Sequence, residues 1–261
     1  MWTRAELKEK AKVALKQNYW KIVLVCVILS LIGVDGDPTV NLNYEIEEPS
    51  CYATNMIPLG EYNVLLGGLL NVFNLGFAPV MVGIILVTLF LGIAVSLFVF
   101  NPINVGARRF LTKSLNEQAD MNELLFGFQG NYKNVVKVLF YSDLYILLWS
   151  LLLVVPGIIK AYEYFMVPYL LGENPNLDKN EALQMSKEMM YGHKWETFVL
   201  QLSFIGWDLL AAFTLGLVHV FYVTPYRNLT LAALFERLNS LNGYPARRAN
   251  GYQQNYTTEN I

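Results

Sequence analysis

The chain has 261 residues, of which 54% are hydrophobic and 15% are charged, and its mean hydropathy is +0.35. Soluble domains carry roughly 25% charged residues, so this composition excludes an ordinary soluble globular protein. The formal net charge of −2 and the lack of metal-ligand spacing at the two cysteines predict no nucleic-acid partner, no metal and no other cofactor.

One uncharged stretch determines the class of protein. Residues 80–100 contain no charged side chain, and as a helix they extend about 30 Å, the thickness of the hydrocarbon core of a bilayer. A soluble protein could not leave such a run on its surface. The sequence therefore predicts an integral membrane protein.

The first segment, residues 1–18, has the pattern of an amphipathic basic helix. Thr3 and Glu6 match a capping box, and apolar residues recur on one face. A separate stripe of lysines is expected to contact an anionic inner leaflet: Lys8, Lys10, Lys12 and Lys16. The alternative is a cytoplasmic lead-in helix that only orients the first span.

The rest of the chain predicts an all-α membrane bundle of about six transmembrane helices, with short interfacial helices, in a single domain over 1–261. Pro156–Gly157 and Gly216 are expected to form hairpin turns. Whether residues 64–75 cross, re-enter or lie on the membrane stays open. The predicted segments are span 1 at 19–33, an acidic extracytoplasmic loop at 34–76, span 2 at 79–100, a cytoplasmic segment at 101–134, span 3 at 135–155, span 4 at 157–171, a cytoplasmic segment at 172–195, span 5 at 197–213, span 6 at 217–235 and a cytoplasmic tail at 236–261.

The distribution of Lys and Arg predicts the orientation. Basic residues, Arg108 and Arg227 among them, fall before span 1, between spans 2 and 3, between spans 4 and 5, and after span 6. By the positive-inside rule these segments are cytoplasmic, and Lys160 alone falls towards the other side. The prediction is a multi-pass bacterial plasma-membrane protein with both termini in the cytoplasm.

Several motifs together resemble a bacterial family of polytopic membrane proteins catalogued as domain of unknown function nine-seven-five. The resemblance implies a six-span membrane protein and transfers no catalytic residue. The acidic outer loop and Asp208 look like local variations. The matching motifs are Leu7-x-x-x-Ala11-Lys12-x-x-Leu15-x-x-x-Tyr19-Trp20, Pro156-Gly157-Ile158-Ile159, Glu181-Ala182-Leu183-x-x-Ser186, Met190-x-Gly192-x-Lys194, Leu202-Ser203-Phe204-Ile205-Gly206-Trp207 and Thr224-Pro225-Tyr226.

Ionisable residues inside predicted spans are costly and often functional. The candidates for an intramembrane polar site are Asp143, Lys160, Glu163, Asp208 and His219. The last four are predicted to line a polar vestibule in the outer half of the C-terminal hairpins; the alternative is interface placement with a Lys160–Glu163 ion pair. Asp143 lies well inside span 3 and is expected to need a partner or water.

Enzyme signatures such as H-E-x-x-H, G-x-S-x-G and the P-loop are missing, so no enzyme is predicted. The first hypothesis is a non-enzymatic membrane scaffold or accessory protein with a protein partner or a second copy of itself. The alternative is a small permease, or a lipid- or peptide-handling transporter, with a polar site between the C-terminal hairpins.

Overall fold

A computed structural model describes residues 2–32, 80–129, 131–214 and 216–243. Helix accounts for 84% of these residues, and they include no strand, so the all-α class is confirmed. The predicted outer loop at 34–76, with the undecided segment 64–75, lies outside the described residues, as does most of the C-terminal tail.

The chain divides into two compact units. One consists of Met1–Thr39 with Leu97–Ile261, and the other of Val40–Ser96. The described part of the second unit is helix α3, residues 80–95, whose large apolar side chains are exposed. Helix α3 carries most of the uncharged stretch on which the membrane assignment rests.

Few helices are long and apolar enough to cross a bilayer. Two meet that requirement among the described residues, Val80–Lys113 and Tyr132–Leu152. A third candidate is the pair Arg4–Gln17 and Tyr19–Ser30, which is bent by 107° at its junction. Two or three candidate spans are compatible with membrane insertion, and the predicted six crossings are not confirmed.

The first unit is a series of short helices. A π turn at Ser96–Phe100 lies where the units meet in sequence, and a second lies at His219–Val223. A 3₁₀ helix at Met121–Phe128 lies within the predicted cytoplasmic segment 101–134. The α-helices of the first unit are α1 Arg4–Gln17, α2 Tyr19–Ile32, α4 Asn101–Lys113, α5 Tyr132–Leu152, α6 Val154–Glu163, α7 Val167–Glu173, α8 Lys179–Met190, α9 Lys194–Leu202, α10 Ile205–Phe213 and α11 Thr224–Leu241.

Helix α1 begins as the sequence predicted, because the Thr3 hydroxyl accepts a hydrogen bond from the backbone N–H of Glu6. Its apolar face is nevertheless covered by protein. Leu7, Ala11 and Ala14 are buried, and α1 packs on α11. An apolar stripe does not distinguish a lipid surface from a neighbouring helix. The apolar face of α1 therefore contacts protein.

The predicted turn between spans 3 and 4 lies earlier in the chain than expected. Helix α5 ends at Leu152, and the extended Leu153 joins it to α6. Pro156 and Gly157 lie inside the first turn of α6, where proline's missing N–H costs no hydrogen bond. A Cβ on Gly157 would overlap the Ser150 side chain, so the two helices pack closely as a hairpin.

Predicted spans 4 and 5 are broken helices. The first is interrupted at residues 164–166 between α6 and α7, and the second at residues 203–204 between α9 and α10. Span 6 contains the π turn before α11, whereas the turn at Gly216, with φ of +81°, lies where the sequence predicted. The sequence pattern did not show these breaks because apolar residues continue through them.

Three helices begin at a proline: Pro102 in α4, Pro168 in α7 and Pro225 in α11. Proline is favoured in the first helical turn, so each one starts a new helix after a π turn or other break. These helices, with α1 and α8, contribute most of the buried residues and are called the base below. The first hairpin is α5–α6, and the second is α10 with the π turn His219–Val223.

Candidate functional site

The most buried polar cluster of the base centres on Arg108. Its Nε donates to Asn104 Oδ1 at 3.0 Å, and its Nη1 donates to Asn228 Oδ1 at 2.7 Å and to the Tyr169 hydroxyl at 3.3 Å. Arg108 is 4% exposed, and the described residues place no carboxylate within ion-pairing distance. The guanidinium therefore joins α4, α7 and α11 through neutral partners.

The sequence prediction placed Arg108 in the cytoplasmic segment between spans 2 and 3 and gave it no partner. Its position is inside α4, four residues after Asn104, so both side chains lie on one helix face. That Asn-x-x-x-Arg spacing was the only sequence signal for the cluster. Arg227, also counted as a flanking charge, is buried as well and belongs to α11.

A second charged cluster lies beside α4, around Glu123 in the 3₁₀ helix. Arg109 Nε contacts Glu123 Oε2 at 2.5 Å, and Lys113 pairs with the other carboxylate oxygen. Partial burial raises the pKa of Glu123, but the hydrogen bonds and charges of Lys113 and Arg109 outweigh it, so its pKa lies below the ordinary value of 4.5. Glu123 is therefore ionised and fixes the 3₁₀ helix to α4.

The predicted Lys160–Glu163 pair is confirmed, with Lys160 Nζ at 2.5 Å from Glu163 Oε2. Lys194, the first residue of α9, contacts the other oxygen at 2.5 Å. Lys194 belongs to the segment predicted to be cytoplasmic, whereas Glu163 was placed near the outer start of span 4. The contact brings together two residues that the sequence placed on opposite sides of the membrane, so the two placements are incompatible with each other.

Asp208 pairs with Arg227, whose Nη2 lies 2.5 Å from Asp208 Oδ2, and His219 Nδ1 lies 3.4 Å from the other oxygen. No described contact joins these residues to the Lys160–Glu163 pair. The four residues predicted to line one vestibule therefore form two separate groups. Each group joins a hairpin helix to a helix outside the hairpins, α6 to α9 in the first case and α10 to α11 in the second.

Asp143 has one described partner, the Asn101 amide, which donates to Asp143 Oδ2 at 3.2 Å. The side chain is otherwise exposed on α5. Ser150, on the same helix, donates to Ile146 O within α5. Asp143 is thus a carboxylate with an amide partner at the start of α4.

The basic stripe of α1 lies partly over aromatic rings. Lys8 Nζ is 4.4 Å from the centre of the Phe204 ring, and Lys10 contacts Glu236 at 2.6 Å. Lys12 lies 5.9 Å from the Tyr226 ring, and Lys12 and Lys16 are exposed. Two of the four predicted membrane-surface lysines are therefore free to face an anionic surface.

Surface cavities of the described part of the chain include three with volumes of about 390, 300 and 460 Å³. Trp2 and Trp195 line the first, and Arg109 and Glu236 line the second. Tyr164 and Tyr191 line the third. None of the three is lined by the five residues predicted to form an intramembrane site. The described residues also contain no group of His, Cys, Asp and Glu that could hold a metal ion.

Comparison with known proteins agrees with the family resemblance in the sequence. Residues 61–242 match the model of the family described as "Protein of unknown function (DUF975)", and the chain belongs to this family. No curated protein and no solved structure matches it.

Proposed function

We propose that this member of a family of unknown function is a non-enzymatic scaffold or accessory protein of the bacterial plasma membrane. The observation that carries the proposal is the pairing of ionisable side chains within the first unit. Glu163, Asp208 and Glu123 each bind cations that tie helical segments together. Residues committed to such ties stabilise one arrangement of helices.

Closed ion pairs favour a static role because separating them is costly. Removing one partner of a buried pair leaves an uncompensated charge, at a cost of about 3–5 kcal/mol. Ion-coupled transporters use intramembrane ionisable groups that take up and release protons or ions during the cycle. Glu163 is 7% exposed and contacts two lysines at once, an arrangement that supports a fixed tie.

The proposal places both termini and the base on the cytoplasmic side, where the predicted positive segments lie. The exposed Lys12 and Lys16 would then face the anionic inner leaflet. The polar outer face of α8 would be free for a protein partner or a second copy of the chain. The six predicted crossings would require the broken helices of both hairpins to cross completely.

Native mass spectrometry of the protein, released gently from its own membrane, tests the scaffold role. A second polypeptide at fixed stoichiometry would support it and identify the process by association. The chain alone, carrying one defined lipid or small molecule, would overturn the scaffold role.

The alternative is a small permease or a lipid- or peptide-handling transporter. Asp143 favours it, because an exposed carboxylate whose described partner is a neutral amide is free to take up a proton or cation. Asp143→Asn should abolish coupled transport, whereas a scaffold should keep its partner complex. Glu163→Gln is the matched change at a paired carboxylate, and it should destabilise the fold in either role because it leaves Lys160 and Lys194 without their anionic partner.

A further inference from the structure

The part of the first hairpin farthest from its turn, called its lower part, contacts the polar segment that follows α7. The Asn134 amide, near the start of α5, donates to Pro175 O at 2.9 Å and to Leu177 O at 2.7 Å. Lys179 Nζ, at the start of α8, lies 4.3 Å from the centre of the Tyr141 ring. The first half of α5 therefore contacts residues from a strongly polar connection.

Helix α8 continues along the same part of the hairpin. Ser186 Oγ donates to Glu163 O at 2.7 Å and accepts from the backbone N–H of Met166 at 3.2 Å. Lys194 then reaches the Glu163 carboxylate. Polar residues between α7 and α9 thus accompany the hairpin as far as the break between α6 and α7.

The opposite face of α8 prevents this part of the hairpin from lying in hydrocarbon. Its exposed residues are Asn180, Glu181, Gln184, Lys187 and Glu188. Each charged residue at the centre of a transmembrane helix costs about 2.5–3.5 kcal/mol. The part of the first hairpin that α8 accompanies therefore lies in water or among lipid headgroups.

The remaining part of the first hairpin is apolar but short. Tyr145 packs near Tyr164, with ring centres 6.3 Å apart, and Lys160 Nζ lies 5.4 Å from the Trp149 ring, so the two legs run antiparallel. From Tyr145 to Leu152 the helix rises about 10 Å, and from Leu153 to Tyr164 the other leg extends about 16 Å. The hydrocarbon core is about 30 Å thick.

This short part presents apolar side chains in every direction. Residues 146–159 carry no charge, and Leu151 is 83% exposed. The other large apolar side chains exposed there are Leu147, Leu148, Trp149, Leu152, Leu153, Val154, Val155, Ile158 and Ile159. Such a surface is unfavourable in water and matches the acyl chains of one leaflet.

The second hairpin has nearly the same dimensions. At its lower end, the Phe204 ring lies 5.4 Å from the Tyr226 ring and under the ammonium group of Lys8 from α1. Above that level α10 rises about 14 Å over its 9 residues. Its uncharged part begins beyond Asp208, which pairs with Arg227. Phe213 at its end is 87% exposed. Leu209, Leu210 and Leu217 are also exposed, to a lesser degree.

We infer that both hairpins insert into the cytoplasmic leaflet and turn back near the middle of the bilayer instead of crossing it. The exposed Tyr191, in the connection between α8 and α9, and Trp195, in the first turn of α9, then lie at the headgroup level that aromatic side chains favour. The partner of this surface is the acyl-chain region of one leaflet.

Half-depth hairpins leave the predicted orientation unchanged. Each hairpin begins and ends on one side, so the basic segments stay cytoplasmic whether the hairpins cross twice or turn back. Spans 1 and 2 would be the complete crossings. The depth of the hairpins does not depend on the scaffold role.

Single cysteines at the two hairpin ends measure whether the ends reach water. With Cys26 and Cys51 replaced by Ala, Leu153→Cys and Phe213→Cys are each treated with a membrane-impermeant maleimide in intact cells and in inverted vesicles. We expect at least tenfold less labelling from either side than after solubilisation in detergent. Labelling in intact cells would show a complete crossing, and labelling in inverted vesicles would show a hairpin outside the bilayer; either overturns the inference.

Two controls calibrate the labelling. Ala5→Cys, at an exposed position of α1, should react in inverted vesicles and not in intact cells. The native Cys51, restored in the same background, should react in intact cells because it lies in the predicted outer loop. Since the two hairpins are measured separately, misfolding of one variant leaves the other as a test.

Fluorescence quenching measures depth directly. A fluorophore attached to the introduced thiol of the Leu153→Cys or the Phe213→Cys variant is read in vesicles that carry nitroxides either on the headgroup or midway along the acyl chain. Stronger quenching by the acyl-chain nitroxide is expected, and stronger quenching by the headgroup nitroxide would contradict half-depth insertion. Partner binding has no influence on this reading, so a failed scaffold role and a failed depth assignment are distinguishable.

Discussion

The base and the hairpins use the same kinds of side chain against different surroundings. In α11 of the base, Leu229, Ala232 and Phe235 are completely buried by neighbouring helices. In the hairpins, Leu151 and Phe213 are more than four-fifths exposed. The apolar side chains of the base are buried by other parts of the protein. Those of the hairpins need an apolar environment outside the protein, and the acyl chains of a bilayer supply it.

The base and the hairpins also differ in their charged and polar side chains. The base contains the buried Arg108 cluster and the Glu123 ion pairs, as water-soluble helical proteins do. The ends of the hairpins, residues 146–159 and α10 beyond Asp208, carry no charge. Apolar composition alone therefore identifies a membrane protein without showing which helices contact lipid.

Arg108 gives the largest expected effect in the base. Arg108→Ala removes the donors of three partners and leaves Asn104, Asn228 and Tyr169 without them in a cavity. We expect a loss of about 3 kcal/mol in the free energy of unfolding, measured by denaturation in detergent. The exposed Arg4→Ala should change it by less than about 0.5 kcal/mol. Equal effects of the two changes would show that the Arg108 cluster does not hold the base together.

Substitution of one glycine in the base and one in a hairpin tests how closely each region is packed. A Cβ on Gly106 of α4 would overlap the backbone carbonyl of Leu124, so Gly106→Ala should cost about 1–3 kcal/mol. A Cβ on Gly206 of α10 meets nothing within 4 Å, and Gly206→Ala should stabilise the helix by about 0.5–1 kcal/mol. Thermal unfolding of both variants in one detergent checks the sign. A destabilising Gly206→Ala would mean that α10 is packed against protein.

A tyrosine hydroxyl links α6 of the first hairpin to α9. Tyr162 donates to Gln201 Oε1 at 2.5 Å, and both residues are buried. Tyr162→Phe should lower the free energy of unfolding by about 1 kcal/mol, because the Gln201 amide loses a partner. The same change at the exposed Tyr191 should have no measurable effect. Urea unfolding of the two variants in detergent measures the difference, and identical curves would exclude a structural role for the hydroxyl.

The smallest effect concerns pH. Because the folded-state pKa of Glu123 lies below its ordinary value, ionised Glu123 stabilises the fold at pH values above the unfolded-state pKa. This contribution is lost as the pH falls through the lower, folded-state pKa. Glu123→Gln should flatten that part of the pH dependence of unfolding between about pH 5 and pH 3. A slope identical to that of the unaltered chain would show that Arg109 and Lys113 do not stabilise the carboxylate.

Features that depend on a local sequence pattern could be predicted, whereas the breaks between helices could not. The uncharged stretch, the Thr3 cap, the turn at Gly216 and the Lys160–Glu163 pair are local patterns, and the structure bears each of them out. The breaks at residues 164–166 and 203–204 lie within apolar runs, so hydropathy counted two spans there. The partners of Arg108 come from distant helices, and no spacing in the sequence connects them.

Spin-label accessibility in nanodiscs most directly tests the central contrast between a polar base and lipid-embedded hairpins. Single nitroxides are placed at Leu147 and Leu151 of the first hairpin and at Gln184 and Lys187 of α8. At Leu147 and Leu151 we predict high accessibility to oxygen and low accessibility to the nickel chelate, and the ratio of the two should be larger at Leu151 than at Leu147. At both α8 positions we predict high accessibility to the nickel chelate. If the α8 positions have the oxygen accessibility of lipid, or Leu151 that of water, the division between base and hairpins is contradicted.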